Sequence, residues 1–208
     1  VGQTLFKLLT LDKNRPYFGF EPQLSCCFFV DQFLRQNGID SAKVLPIALS
    51  DSNGTLKLYT GENFDEMATT VGAVATLSHR SAVSLVPARI GDEVIRELAL
   101  DDIALVKIDV EGAELSVLHG LEASLRRHHP SVFFEVLPNY HGRERTMFPA
   151  EFCTQNRERA DRIHAFLLAC GYRVYQIDSQ GNESPIDRFD LDAPERFVGS
   201  DYVAHVAG

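Results

Sequence analysis

The feature that most constrains this chain is a regular alternation of short apolar runs with amphipathic stretches. The clearest pair is residues 103–110, a nearly continuous apolar run, followed by residues 111–126. The apolar residues of the second stretch recur at helical spacing: Ala113, Val117, Leu121 and Leu125. Strands that alternate with helices are typical of α/β proteins, so this pattern predicts a largely parallel sheet flanked by helices.

The same alternation continues along the rest of the chain. Further strands are predicted at residues 17–22, 43–50, 55–60, 84–89, 131–137, 172–178 and 201–207. Further helices are predicted at residues 4–11, 24–37, 91–99 and around residues 163–170. No linker and no repeat interrupts the pattern, which indicates a single domain over residues 1–208.

Residues 61–84 break the alternation. This segment is rich in Ala, Thr, Ser, Val and Gly and has no firm period, so we expect a long loop with one helical turn. Long ordered loops in compact domains are often functional, and many of them cover a binding site. We therefore expect residues 61–84 to act as a lid.

Composition argues against several classes of protein. The 208 residues carry a net charge of −9, which does not suit a nucleic-acid-binding protein with a basic surface. No apolar run reaches the roughly 18 residues that a transmembrane helix requires, so no membrane span is expected. The four cysteines lack metal-ligand spacing, and we expect reduced thiols in a cytoplasmic protein without a bound metal.

Three acidic residues stand where predicted strands end: Glu21, Asp109 and Glu135. In open α/β sheets, ligands bind in the crevice at the carboxyl ends of the strands. Glu21 also follows Gly2 by 19 positions, close to the spacing between a glycine-rich cofactor loop and the acid that binds a ribose. Because a carboxylate can accept hydrogen bonds from both ribose hydroxyls, Glu21 favours a cofactor that carries adenosine.

Several motifs together carry a family resemblance. KIDVEGAELSVLHG, followed by SVFFEV, resembles the signature of FkbM-type methyltransferases, which use S-adenosylmethionine. FGFEP and ALSDSNGTLKLY precede it in the family's order, and VGQT resembles the end of the family's glycine-rich loop. The resemblance covers roughly residues 1–138.

This resemblance implies a Rossmann-like class I methyltransferase fold. Such a fold has a mostly parallel seven-stranded sheet flanked by helices, and its last strand, here DYVAHVA, is antiparallel. The first strand of the fold and most of the glycine-rich loop are missing from the sequence. We therefore expect residues upstream of Val1 to supply that strand.

The same resemblance implies roles for individual residues. Glu21 matches the acid that binds the ribose hydroxyls, and Gly2 is expected to lie against the methionine part of the cofactor. Ser50 and Asp51 are expected to flank the adenine. Asp109 is expected to face either the amine of the cofactor or the methyl acceptor.

The resemblance also implies O-methylation of a hydroxyl on a sugar, a glycolipid or a secondary metabolite. A sulfonium is already an activated methyl donor, so the protein mainly has to align the reacting atoms. A hydroxyl acceptor must also lose its proton, and a general base is one way to remove it. The candidate bases are His141, His79, Asp109 and Glu135, with His141 ranked before His79 because it follows a strand end.

The charges where the best strand meets the best helix also have structural explanations. Lys107 cannot stay charged and unpaired in an apolar core, so we expect it either to pair with a strand-end acid such as Glu135 or to reach the sheet edge of the pocket. Glu111 and Glu114 fall in the first turn of the predicted helix, where acidic side chains offset the helix dipole. Asp109 could instead cap this helix.

Other functions stay open from the sequence. The protein could be a non-catalytic cofactor-binding or interaction module built on the same fold. DVEGA after an apolar strand is also similar to the D-x-D-G-T motif of haloacid-dehalogenase-like, magnesium-dependent phosphatases, although Glu111 and Ala113 depart from it. A magnesium-assisted methyltransferase, with Asp109 and Glu135 as ligands, is a further alternative. The sequence does not indicate the oligomeric state.

Overall fold

The computed structural model describes residues 2–61, 68–77, 82–141, 146–192 and 200–207, in which helices and strands alternate as expected. The helices are α1 (Gln3–Leu11), α2 (Leu24–Gln36), α3 (Gly72–Leu77), α4 (Gly91–Glu97), α5 (Glu114–Gly120), α6 (Glu122–His128) and α7 (Ala150–Ala169). The strands are β1 (Tyr17–Phe20), β2 (Ala42–Leu45), β3 (Ala48–Ser50), β4 (Gly54–Thr60), β5 (Ala82–Ile90), β6 (Leu105–Ile108), β7 (Ser131–Glu135), β8 (Tyr140–His141), β9 (Thr146–Met147), β10 (Tyr172–Ile177), β11 (Glu183–Pro185) and β12 (Asp201–Val206).

The strands form several mixed sheets. The largest has the order β11-β10-β12-β7-β6, a second has the order β3-β5-β4, and β1-β2 and β8-β9 form separate pairs. β1–β2, β3–β5 and β6–β7 are parallel, and the other five pairings are antiparallel. The expected antiparallel direction of DYVAHVA is confirmed, because β12 runs antiparallel to both of its neighbours. A single, mostly parallel sheet of seven strands is not what the described residues form.

The predicted strand at residues 43–50 is in fact two strands. β2 pairs with β1, whereas β3 pairs with β5 in a different sheet. Pro46 lies between them, and a proline has no N–H to continue a ladder of backbone hydrogen bonds. The chain therefore changes sheets at this point, which is one reason why the strands do not form one continuous sheet.

The predicted helix at residues 111–126 is also interrupted. It begins only at Glu114, because Glu111 (φ 50°) and Gly112 (φ 106°) adopt left-handed conformations and form a turn. A second break separates α5 from α6. There, the Asp92 carboxylate of α4 accepts hydrogen bonds from the backbone N–H groups of Ala123 and Ser124 and so caps the start of α6.

The main core lies on the five-stranded sheet and fixes α5, α6 and α7 against it. Its most deeply buried aliphatic side chains include Leu118, Leu125, Val132, Ile163 and Leu167. Burial of a side chain of this size contributes about 1.5–3 kcal/mol. This shared core holds α5 and α7 in fixed positions against the sheet.

Strands β1 and β6, which both contribute to the cleft described below, each have one edge without a partner strand in the described ranges. β6 pairs with β7 on one edge and β1 pairs with β2 on one edge, and within the described ranges neither strand has a partner on its other edge. Lys107, in the middle of β6, is therefore exposed rather than buried in an apolar core. The expectation that residues upstream of Val1 supply the first strand of the fold stays a prediction.

Among the helices in the described ranges, none combines the length and the apolar character that a membrane crossing requires.

Candidate functional site

A cleft of about 1040 Å³ opens where β1, β3 and β6 end. It is bounded by α1, by the segment that precedes α3, and by one face of α7. All four residues of β1 line it, whereas β6 contributes only its last two residues, Lys107 and Ile108. Its volume is at the upper end of the range for ligand sites, about 300–1,000 Å³, so it has room for a nucleoside-sized ligand and part of a second molecule.

Glu21 follows β1 and lines this cleft. Its Oε1 accepts a hydrogen bond of 2.7 Å from the backbone N–H of Gln23. Within the described residues, no hydrogen bond reaches its other carboxylate oxygen. Burial raises the pKa of Glu21, and the hydrogen bond from Gln23 offsets part of that rise. Among the residues that the structure describes, Glu21 thus has one oxygen without a hydrogen bond, which can accept hydrogen bonds from a ligand.

Gly2, Ser50 and Asp51 line the same cleft. Gly2 is the N-cap residue of α1 and has φ 68°, a conformation that favours glycine. The hydroxyl of the buried Ser50 donates to Asp51 Oδ1 at 3.3 Å. A close approach fixes the end of β3, since a Cβ atom at Gly120 would lie only 1.9 Å from the Ser50 carbonyl oxygen. The carboxyl end of β3 is therefore packed directly against the last turn of α5.

Asp109 lines the cleft directly after β6 and forms an ion pair with Lys107, with Nζ and Oδ2 2.5 Å apart. Lys107 thus pairs with a strand-end acid, as expected, but this acid is Asp109 rather than Glu135, and Lys107 itself lines the cleft. Asp109 does not cap α5, whose N-cap residue is Ala113. Glu135 is absent from the described lining of the cleft, although burial raises its pKa and a hydrogen bond from Ser200 offsets part of that rise.

The other two candidate bases lie outside what the structure describes. His79 belongs to residues 78–81, which are not among the described residues. His141 contributes its backbone to β8, but its side chain is likewise not described. The roles of both histidines stay predictions.

Part of the predicted lid borders the cleft. Ala68, Thr70, Val71 and Ala73 contribute to its lining, and α3 is the helical turn expected in this segment. Thr69 pairs with Tyr59 through two backbone hydrogen bonds, which attach the segment to β4. Residues 62–67 of the predicted lid are outside the described ranges.

Sequence reasoning missed a polar cluster on α7. Asn156 and Arg159 line the cleft, and Arg159 lies against Glu114, with Nε and Oε2 4.0 Å apart. Glu114 lies in the first turn of α5, as expected of a residue that offsets the helix dipole, but it is buried, and its pairing with Arg159 was not foreseen. The signal in the sequence was weak: Asn156 interrupts the stripe of buried residues of α7, which otherwise consists of Phe152, Ala160, Ile163 and Leu167.

Across the described parts of the chain, no group of three or more His, Cys, Asp or Glu side chains is arranged to hold a metal ion. Asp109 and Glu135 therefore do not belong to a larger set of ligands there.

Fold and cleft together define an α/β protein whose ligand site lies at the carboxyl ends of its strands, with one acid after β1 and another after β6. The family model of the methyltransferase FkbM domain matches residues 4–174. The chain belongs to the FkbM methyltransferase family.

A solved structure supports the fold. The chain is similar to the crystal structure of methyltransferase FkbM from Methylobacillus flagellatus KT, with a TM-score of 0.55 and 16% sequence identity. The match covers 98% of this chain and 40% of that protein, so this chain spans less than half of its length. No curated protein matches the sequence significantly.

Proposed function

We propose that this protein is an S-adenosylmethionine-dependent methyltransferase that methylates a hydroxyl group on a sugar, a glycolipid or a secondary metabolite. The observation that carries the proposal is the Glu21 carboxylate, which lines a large cleft at the strand ends and has one oxygen that no described residue hydrogen-bonds. An acid in this position can accept hydrogen bonds from two ribose hydroxyls.

The residues around the cleft fit an adenosine-bearing cofactor. Glu21 would hold the ribose, Ser50 and Asp51 would flank the adenine, and Gly2 would lie against the methionine part. The apolar side chain of Leu49 also lines the cleft next to Ser50 and offers a surface for a base. When bound, S-adenosylmethionine supplies a methyl group that its sulfonium activates.

The contribution of the protein to the transfer is alignment and removal of a proton. Asp109 lines the cleft with its carboxylate paired to Lys107, and it is the described candidate for contact with the amine of the cofactor or with the acceptor hydroxyl. His141 and His79 are proposed as alternative bases, and Glu135 as a more remote one. The acceptor is proposed to be a small molecule or a carbohydrate.

We also place the protein in the cytoplasm, because Cys26, Cys27, Cys153 and Cys170 are all free thiols. Free thiols persist in a reducing compartment, whereas secreted proteins of this size commonly carry disulfides.

The first test is ligand binding by thermal shift and calorimetry. S-adenosylhomocysteine at 100 times its dissociation constant should stabilise the whole protein by about 2.7 kcal/mol. Glu21→Ala should abolish this shift, whereas Asp31→Asn, at a partly exposed position of α2 outside the described cleft lining, should leave it unchanged. If neither S-adenosylmethionine nor S-adenosylhomocysteine shifts the unfolding temperature, the proposal fails.

The second test is transfer of an isotope-labelled methyl group to a panel of hydroxyl acceptors, with amines and carboxylic acids as comparison. Transfer to hydroxyls alone supports O-methylation. Binding of S-adenosylmethionine without transfer to any acceptor would instead indicate a non-catalytic cofactor-binding module.

A further inference from the structure

Three side chains from different parts of the chain converge on the turn formed by residues 109–113, here called the 109–113 turn. Glu114 Oε1 accepts a hydrogen bond of 2.7 Å from the Gly112 N–H. Arg159 Nη1 donates to the Gly112 carbonyl at 3.1 Å. Thr69 Oγ1 donates to the Glu111 carbonyl at 2.7 Å. Both polar groups of the Gly112 backbone are thus held by side chains, one acidic and one basic.

These contacts are largely removed from water. The Glu114 side chain is 2% exposed and the Arg159 side chain is 17% exposed. Arg159 Nη2 also donates to Asn156 Oδ1 at 2.5 Å, and Asn156 Nδ2 donates to the Leu137 carbonyl at 2.8 Å. A buried charge without a partner is strongly unfavourable, so each member of the Glu114–Arg159 pair keeps the other in place.

The turn needs such support because of its backbone. Glu111 has φ 50°, which non-glycine residues rarely adopt, and such a conformation persists only where the surroundings hold it. All five residues of the 109–113 turn line the cleft. A shift of this turn would therefore move Asp109 and Glu111 relative to any bound ligand.

We propose that Arg159 and Glu114 are positioning residues that hold the 109–113 turn so that Asp109 and Glu111 face the ligand. They act through the Gly112 peptide groups, because side chains that fix the backbone of a turn also fix the orientation of the residues on it that contact the ligand. The identity of the ligand as S-adenosylmethionine rests on the proposed function, whereas the positioning of the turn does not.

The chain offers a matched control for Arg159. Arg157 lies on the same helix with a side chain that is 22% exposed, and it donates to the Phe189 carbonyl at 2.5 Å and to Asp192 at 3.5 Å. Arg157 is not among the residues that line the cleft. Arg159→Met and Arg157→Met therefore remove similar arginines, of which only Arg159 donates a hydrogen bond to the 109–113 turn, whereas Arg157 is joined to the loop that follows β11.

The experiment compares both variants with the wild-type protein by hydrogen exchange and by calorimetry with S-adenosylhomocysteine. Arg159→Met should speed amide exchange in peptides that cover residues 109–113 and weaken S-adenosylhomocysteine binding by about tenfold. Arg157→Met should change neither the exchange at residues 109–113 nor the affinity, even if it lowers the unfolding temperature as much as Arg159→Met does. If Arg159→Met does not fold, Glu114→Gln keeps an acceptor for the Gly112 N–H but loses the charge opposite Arg159, so it should have the same two effects at smaller size.

The outcomes separate this inference from the proposed function. Unchanged exchange at residues 109–113 in both Arg159→Met and Glu114→Gln overturns the inference. Faster exchange with wild-type affinity for S-adenosylhomocysteine also overturns it, because the turn would then not position groups that contact the ligand. A wild-type protein that does not bind S-adenosylhomocysteine contradicts the proposed function, and the exchange data then decide the positioning of the turn alone.

Discussion

Lys107 and Asp109 form an ion pair at the end of β6, with Nζ and Oδ2 2.5 Å apart at the edge of the cleft. Their side chains are 39% and 53% exposed. Exposed ion pairs contribute only about 0–1 kcal/mol to stability. The main effect of the pair is therefore to orient the Asp109 carboxylate, and its contribution to the free energy of folding is small.

Asp109→Asn should separate function from stability. Its free energy of unfolding should stay within about 1 kcal/mol of the wild-type value, because the lost ion pair is exposed. Methyl transfer should fall by about 10²- to 10⁴-fold if Asp109 removes the proton of the acceptor. Urea unfolding and the transfer assay measure these two quantities. Asp31→Asn breaks the exposed ion pair with Arg35 on α2 and should change neither; near wild-type transfer by Asp109→Asn would exclude Asp109 as the base.

Glu21 should give stability a dependence on pH. Burial raises its pKa above 4.5, so the folded state binds this proton more tightly than the unfolded state does. The resulting contribution to stability is fully present below 4.5 and is lost as the pH rises through the raised pKa. Glu21→Gln should flatten this part of the curve of unfolding free energy against pH. An unchanged curve would show that the Glu21 pKa is not raised.

Ligand binding should depend on the same group with the opposite sign. The ionised carboxylate accepts two hydroxyl hydrogen bonds, so affinity for S-adenosylhomocysteine should rise as the pH rises through the raised pKa of Glu21. Calorimetry across this range measures the affinity. Glu21→Gln should bind weakly and with little pH dependence. A wild-type affinity that falls with rising pH would contradict a ribose-binding role.

Much of this site could be predicted from the sequence because it depends on local patterns. Strand and helix periods place Glu21 and Asp109 after strands, and the carboxyl ends of β1 and β6 meet at one cleft. Glu135 also follows a strand, but it is absent from the described cleft lining. The rule that ligands bind at the carboxyl ends of strands identifies the end of the sheet at which the site lies. Which of these strand ends borders the cleft depends on the order in which the strands pair.

The remaining features depend on contacts between distant residues. Glu114 and Arg159 belong to different helices, and no short motif indicates that they pair. The exposure of Lys107 follows from an open strand edge, which the apolar character of residues 103–110 did not reveal. The split of residues 43–50 had a visible cause in Pro46, but only the sheet pairings show that the two halves belong to different sheets.

Thr69→Val should loosen the link between the lid segment and the 109–113 turn. Thr69 is buried, and its Oγ1 donates to the Glu111 carbonyl at 2.7 Å and accepts from the Val71 N–H at 3.1 Å. Valine keeps the shape but leaves both groups unpaired, which should cost about 1–3 kcal/mol of unfolding free energy. Thr69→Ser keeps the hydroxyl and should lose less. A smaller loss in Thr69→Val than in Thr69→Ser, measured by urea unfolding, would mean that the methyl group, not the hydrogen bonds, matters at this position.

Gly120→Ala should damage both stability and the cofactor side of the cleft. The new Cβ would lie 1.9 Å from the Ser50 carbonyl oxygen and 2.7 Å from its carbonyl carbon, and both are backbone atoms. The end of β3 or the last turn of α5 must therefore move, at a cost of about 1–3 kcal/mol or more. Because Ser50 and Asp51 line the cleft, the same movement should weaken S-adenosylhomocysteine binding.

Gly72→Ala is the matched control for this substitution. Gly72 starts α3, and its nearest neighbour to a new Cβ is Tyr59 Oη at an ordinary contact distance of 3.6 Å. Alanine favours helices over glycine by up to about 1 kcal/mol, so this variant should be as stable as the wild type or slightly more stable. Urea unfolding and calorimetry on both variants test the argument. If Gly120→Ala is destabilised but binds S-adenosylhomocysteine with wild-type affinity, then the new Cβ displaces α5 and leaves the end of β3 in its original position.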